Sequence, residues 1–345
     1  MAGTFLGFPF DEEIFLNRWG KKPDPTLTAI LNSGAVVYDT TIEEMIQDRG
    51  NVFTIPFYNV LTGTPINYDG ETDITDNETD GGSQTGVVFG RAIGHTARDF
   101  VKELIGNDPM GNIADSIGFF WDKQNQIELL NILKAVCAIT STSSGYAKTF
   151  HDTHVLDLTS ATATPYVIGE TDANELTTKA MGDNKKLFSL AFMHSDVAKT
   201  LENKQLLEYW KYTDKNGIQK PLNIANWNGY TVIIDDGVGK VAVGGSGANK
   251  DLYKYPTYIL GNGVIRTANG RVDVPVETSR NPYKNGGQET LITRIRKTFH
   301  PNGFSFDPTK MAKQSPTFEE LGTTANWSIK FDPKTIPLAV MYTNG

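Results

Sequence analysis

Apolar and polar positions repeat with different periods along the chain, and the change of period marks its elements. The longest helical pattern sets Ile113, Ile117, Phe120, Ile127, Leu130, Leu133 and Cys137 at steps of three, four and seven. It opens on Asp108-Pro109, an N-cap followed by proline at the first helical position, and stops at Thr140-Ser141-Thr142-Ser143-Ser144-Gly145. A helix over 109–139 is predicted, about 45 Å long at ~1.5 Å per residue. That length suits a strut better than ordinary globular packing. A capping box with Thr41 as N-cap and Glu44 three residues on predicts a short helix there. Further helices are predicted over 95–106, 195–201 and 205–212.

Strand signals are rich in β-branched and aromatic residues. Val52-Phe53-Thr54-Ile55-Pro56-Phe57-Tyr58 and Thr85-Gly86-Val87-Val88-Phe89-Gly90-Arg91-Ala92-Ile93 predict a long two-stranded hairpin. Its connection, about 25 residues, far exceeds the usual two to five of a hairpin loop. The tip holds Asp69, Glu71, Asp73, Asp76, Glu78 and Asp80, with no lysine or arginine among them. Residues 288–299 alternate, with Thr290, Ile292, Arg294, Arg296 and Thr298 on one face and Leu291, Thr293, Ile295, Lys297 and Phe299 on the other. Strands are also predicted over 187–193, 229–236, 257–260 and 272–277, and over 336–342, where the pattern assigns no neighbour. Residues 1–50 read as an extended arm interrupted by Pro9, Pro23 and Pro25. No repeat of about 20 to 50 residues runs through the chain, which removes solenoids and propellers. The mixture predicts an α+β fold.

Composition narrows the function. The chain has 345 residues, enough for one large domain or two interleaved ones. Its net charge of −8 argues against a phosphate-wrapping coat. The single cysteine, Cys137, rules out an intramolecular disulfide framework and a Cys-rich metal site, and its apolar run predicts a buried thiol. No run of about 18 apolar residues predicts a membrane span. Met1-Ala2-Gly3-Thr4 is no secretory signal, so a reducing cytoplasm is expected.

Candidate chemistry is sparse, and no cofactor or metal is expected. Gly237-Val238-Gly239-Lys240-Val241-Ala242 fits a dinucleotide fingerprint only formally, because Val243-Gly244-Gly245-Ser246-Gly247 cannot open the helix that fingerprint needs. Ser246 is one residue short of a nucleophile elbow. His151 and His154 lack a third ligand at metal spacing. His95, His194 and His300 stand alone. The acidic tip misplaces the glycine and terminal glutamate of a calcium loop.

The order of the parts resembles the major capsid proteins of tailed bacteriophages, with the Hong Kong 97 fold. The resemblance covers nearly the whole chain. It rests on Ile30-Leu31-Asn32-Ser33-Gly34, on Arg49-Gly50-Asn51-Val52-Phe53-Thr54-Ile55-Pro56-Phe57, and on the tip Asp69-Gly70-Glu71-Thr72-Asp73-Ile74. Gly106-Asn107-Asp108-Pro109-Met110 and Phe299-His300-Pro301-Asn302-Gly303-Phe304 complete it. The resemblance implies an N-terminal arm over 1–50 and an extended loop over 51–94 that lies on a neighbouring subunit. It implies a peripheral domain beginning over 95–149, with its spine helix at 109–139, and an axial domain over 150–255. Residues 256–345 return to the peripheral domain and form the C-terminal segment.

Such a protein is no enzyme. It self-assembles into pentamers and hexamers, works with portal, scaffolding and decoration proteins, and encloses double-stranded DNA without reading its sequence. The resemblance implies a place in the virion, after assembly in the host bacterial cytoplasm, and no membrane contact. Candidate intersubunit contacts are the tip acids Asp69, Glu71, Asp73, Asp76, Glu78 and Asp80 against Arg294, Arg296 and Lys297.

Two departures stand out. The founding member of the fold crosslinks its subunits through a lysine on the extended loop, whereas residues 51–101 here hold no lysine, so no such crosslink is expected. No long charged helical pattern precedes residue 40, so scaffolding is expected from a separate protein, or from a segment removed or absent. An encapsulin-type compartment shares the fold and stays open as an alternative. A metabolic α/β enzyme lacks a convergent catalytic set, and a tail-tube subunit lacks use for the spine-like helix.

Overall fold

The computed structural model describes residues 4–5, 8–9, 34–48, 50–59, 61, 63–71, 73, 81–105, 109–159, 165–213, 219–243 and 252–345. Two sheets and one long helix organise them. The larger sheet runs, in spatial order, Val155–Asp157, Leu338–Thr343, Tyr253–Gly261, Phe188–Met193, Tyr230–Ile234, Gln219–Trp227 and Glu208–Thr213. Two of its pairings are parallel, 338–343 with 155–157 and 230–234 with 188–193. Its central strands read as unbroken apolar runs because both faces are covered. Leu190, Phe192, Tyr258, Leu260, Leu338 and Val340 join one core, while Ala191, Met193, Ile259, Ala339 and Met341 join the other. The period of two therefore splits each strand between two cores. Helices Asp172–Met181 and Ser195–Asn203 supply the second core with Leu176, Ala180, Val197 and Leu201.

The smaller sheet is built on the 14-residue strand Gln288–Pro301. Phe89–Arg98 pairs along one side of it, and Val276–Asn281 and Ile265–Asn269 follow each other along the opposite side. Val36–Tyr38 adds in parallel to Ile265–Asn269. The long helix Pro109–Cys137 is 29 residues, about 44 Å at ~1.5 Å per residue. Its second half enters the first core through Leu129, Leu130, Ile132, Leu133, Val136 and Cys137. Asp108 lies outside the described residues.

Several predicted elements differ from those observed. The return strand of the hairpin is Gly81–Val87, and Phe89–Arg98 leaves it to pair with Gln288–Pro301. Both stretches are β-rich, so the local pattern carries no mark of the change of partner at Val88. The predicted helix 95–106 begins instead at Asp99, because His95 to Arg98 continue a ladder already formed with Gln288 to Leu291. Where a helix is predicted over 205–212, the chain instead forms the strand Glu208–Thr213, whose aromatic residues favour a ladder with Gln219–Trp227. The strand predicted from 272 starts at Val276, directly after Pro275, whose nitrogen has no hydrogen to donate. The helix Thr40–Asp48 is capped by Asp39 rather than Thr41: the Asp39 Oδ1 accepts from the Thr41 and Ile42 amides at 2.9 and 3.3 Å. The unplaced last strand is Leu338–Thr343, held between Tyr253–Gly261 and the edge strand Val155–Asp157 of the larger sheet.

Candidate intersubunit surface

The hairpin is built by pairing aromatics with glycines. Phe53 lies opposite Gly86 and Phe57 opposite Gly82. A Cβ at Gly86 would fall 2.2 Å from Phe53 Cζ, and one at Gly82 would fall 2.6 Å from Phe57 Cζ. The far edges of the two rings thus lie over the bare backbone of the facing strand. Phe53 meets His300 edge-on at 5.5 Å and Phe57 meets Phe331 at 4.7 Å. Hydrogen bonds fix the same end. The Thr85 amide donates to Ser305 Oγ at 3.0 Å, the Gly303 amide to Gln84 Oε1 at 3.0 Å, and Thr298 Oγ1 to the Val87 carbonyl at 2.7 Å. Asn51 Nδ2 donates to the Gln314 carbonyl at 2.7 Å.

Beyond this root the chain stands clear of the body. Tyr58 is 87% exposed, Leu61 77% and Tyr68 91%. Two strands alone are marginal in water, so exposed aromatics on such an arm mark a surface built to be covered. At the tip, Asp69, Glu71 and Asp73 are exposed, and Asp69 Oδ1 accepts from the Glu71 amide at 2.9 Å. Asp76, Glu78 and Asp80 lie outside the described residues.

The three basic candidates are engaged within their own chain. Arg294 and Arg296 share a face of the strand Gln288–Pro301. Arg294 pairs with Glu277 at 2.8 Å and donates to the Val274 carbonyl at 3.1 Å. Arg296 donates to the Arg271 and Gly50 carbonyls at 3.0 and 2.9 Å and to Asn51 Oδ1 at 2.6 Å, which ties it to the base of the hairpin. Lys297 is half-buried, with its ammonium 5.0 Å from the centre of the Phe299 ring, and burial pulls its pKa below the usual lysine value.

The strongest polar tie in this region escaped sequence reasoning. Arg91 Nε meets Glu128 Oε1 at 2.6 Å, and Arg91 Nη1 donates to the Pro316 carbonyl at 2.9 Å. The hairpin-side strand, the long helix and the segment before Phe318 are clamped together there. Burial raises the Glu128 carboxyl above its ordinary value, partly offset by Arg91. Nothing in the spacing of Arg91 and Glu128 announces this contact. The aromatic–glycine pairs are not legible either, since the predicted return strand begins at Thr85, past Gly82.

The remaining polar candidates have structural places. His194 Nδ1 accepts from the Asp196 amide at 3.1 Å and so caps its helix. His154 stacks on Phe150 at 4.7 Å, His151 is half-buried on the same helix, and Cys137 is buried. Gly237 belongs to a short turn in which its amide donates to Asp235 Oδ1 at 2.8 Å, while Ser246 lies outside the described residues. Among the described residues no three His, Cys, Asp or Glu side chains are gathered as a metal site, and no helix is long and apolar enough to cross a membrane.

Comparison with known proteins agrees with this geometry. The fold matches the capsid of Ralstonia phage GP4 with a TM-score of 0.58 and 11% identity, over 90% of this chain and 87% of the other. It matches the capsid subunit of cyanophage Pam1 with a TM-score of 0.54 and 11% identity, over 88% and 87%. The architecture is therefore the α+β capsid fold of tailed phages. In sequence, the chain is 27% identical over 339 residues to the major capsid protein of Bacillus phage SPP1, spanning 97% of both. No family model matches. The chain is a phage major capsid protein, a structural protein and not an enzyme.

Proposed function

We propose that the chain assembles as pentamers and hexamers into an icosahedral head that encloses double-stranded DNA without reading its sequence. The observation that carries this reading is the hairpin: a rigid aromatic root with an exposed apolar and acidic arm, complete only against another subunit. Head-to-tail contacts of that kind close into rings, and curved rings close into shells. In this layout residues 1–50 are the arm, 51–94 the extended loop and 95–149 the start of the peripheral domain. Residues 150–255 form the axial domain, to whose sheet Tyr253–Gly261 and Leu338–Thr343 add, and the rest of 256–345 returns to the periphery.

Portal, scaffolding and decoration proteins are the proposed partners, and assembly takes place in the host bacterial cytoplasm before the subunit becomes part of the virion. A net charge of −8 supports a shell that holds DNA without gripping it. The tip acids are proposed to meet basic groups of a neighbour. Arg294 and Arg296 serve in this only by exchanging their present partners.

Negative-stain electron microscopy of the purified chain, alone and with its scaffolding partner, tests the reading. Closed shells, or rings of five and six, support it. A uniform monomer or dimer under both conditions overturns it. Small shells filled with an enzyme and lacking DNA would point instead to a cargo compartment of the same fold.

A further inference from the structure

One edge of the smaller sheet stands open. Val276–Asn281 pairs with Gln288–Pro301 on one side, and among the described residues no strand pairs on its other side. All six of its side chains are exposed, as are Val274 before it and Tyr283 after it, the last to 96%. Ion pairs nonetheless hold the strand from both faces. Arg280 meets Asp99 at 2.6 Å, and Glu277 meets Arg294 at 2.8 Å. A firmly held, unpaired edge is a template for a further strand, and proteins that must stay apart blunt such edges.

The ladder decides which backbone groups this edge offers. The Arg294 amide donates to the Pro275 carbonyl at 2.8 Å, so these two residues are a hydrogen-bonded pair. Bonded and non-bonded pairs alternate along antiparallel strands, so Glu277, Ser279 and Asn281 direct their amides and carbonyls to Gln288–Pro301. Those of Val276, Thr278 and Arg280 point outward. Pro282, next in the outward series, has no amide hydrogen, which ends the free edge there.

We propose that this edge pairs antiparallel with the same edge of a second copy of the chain, about a two-fold axis through Thr278. The inference rests on the shell-building reading, which supplies the copies. The edge is self-complementary in this one register. Thr278 faces Thr278 of the second copy, Glu277 faces Ser279, and Val276 lies against the stem of Arg280. A shift of one ladder step in one direction sets Glu277 against Glu277, a like-charge clash. A shift in the other sets Val276 opposite Pro282, which has no hydrogen bond to give. Neighbours within a ring meet head to tail, so an isologous contact of this kind joins subunits of different rings.

The test uses full-length chain under assembling conditions, with an oxidant supplied before denaturation. Cys137 is buried, so an introduced thiol reacts alone. Thr278→Cys is expected to give a disulfide-linked dimer on a non-reducing gel, because the Cα atoms of a hydrogen-bonded pair lie about 5.5 Å apart, within reach of a disulfide. Val276→Cys is expected to give none, since its two copies stand about 14 Å apart in this register at ~3.4 Å per residue. Thr278→Pro removes the outward amide and leaves the ladder with Gln288–Pro301 intact. It should raise the subunit concentration needed for shell closure about tenfold, for two bonds lost at each contact. The melting temperature of the unassembled subunit should stay within a few degrees. Shells that close while Thr278→Cys remains unlinked overturn the edge pairing and leave the shell-building reading standing. A dimer band at least as strong from Val276→Cys overturns it too.

Discussion

Two histidines sit where a proton is unwelcome. His154 and His300 are buried, and burial pushes their pKa values from 6.5 down to about 4 and about 3, the latter helped by nearby Arg266. Between the ordinary value and these depressed values the unfolded chain binds more protons than the folded one. Stability of the unassembled chain must then fall as pH drops from 6.5 towards 4.5, by on the order of 3 kcal/mol per histidine once pH 4 is reached. The lowered pKa values of Asp157 and Asp307 lie below this window, whereas the Glu128 carboxyl, raised by burial, works in the opposite sense and offsets part of the drop. Urea melts at pH 7 and pH 4.5 measure the drop, and His300→Leu should flatten it. A wild-type midpoint that does not move between those pH values defeats the argument. Two glycines offer an opposite pair of outcomes. Gly86→Ala drives a methyl into the buried Phe53 ring and should cost about 1–3 kcal/mol. Gly118→Ala meets nothing within 4 Å in the long helix and should gain about 0.5–1 kcal/mol. Thermal melts of the two variants should shift in opposite directions.

At the scale of elements, the long helix is a beam held at one end. Leu133 is 0% exposed in the first core, whereas Ile113 is only half-buried. Leu133→Ala should therefore cost about 2–5 kcal/mol, and Ile113→Ala under about 1 kcal/mol. Equal losses in denaturant melts would show that the outer half is as tightly packed as the inner, contrary to the burial pattern. The hairpin divides in the same way, between a root tied by Gln84, Thr85 and Val87 and an arm with Tyr58, Leu61 and Tyr68 exposed. Replacing residues 59–80 by a two-residue turn should leave the melting temperature of the subunit within a few degrees and abolish shell formation. A truncated chain that still forms closed shells would remove the arm from the assembly account.

At the scale of the whole molecule, strength in the shell must come from surfaces rather than new bonds. The hairpin and its flanks hold no lysine over 51–101, so mature particles boiled in detergent should run as single chains, without a ladder joined through this loop. Contact between the acidic tip and basic groups of a neighbour would be screened by salt. Reversing Asp73 and Asp76 to lysine should therefore raise the subunit concentration needed for assembly and weaken its dependence on salt. Assembly unchanged in both respects would detach the tip from the interface.

The sequence alone was enough for every feature set by local periodicity. The long helix, the first strand of the hairpin, the alternating strand over 288–299 and the apolar strand 187–193 follow from spacing, because a side chain's direction repeats with the backbone. The chain's resemblance to capsid proteins lay in the order of these parts. Tertiary structure decided what depends on partners distant in sequence. It set the switch of pairing at Val88, the strand rather than helix at 208–213, and the place of Leu338–Thr343 inside the larger sheet. It also joined Arg91 to Glu128 and closed Arg294 and Arg296 onto their own chain. Strand neighbours and buried ion pairs are chosen by global packing, and nothing in a short window of residues records which distant segment will arrive beside it.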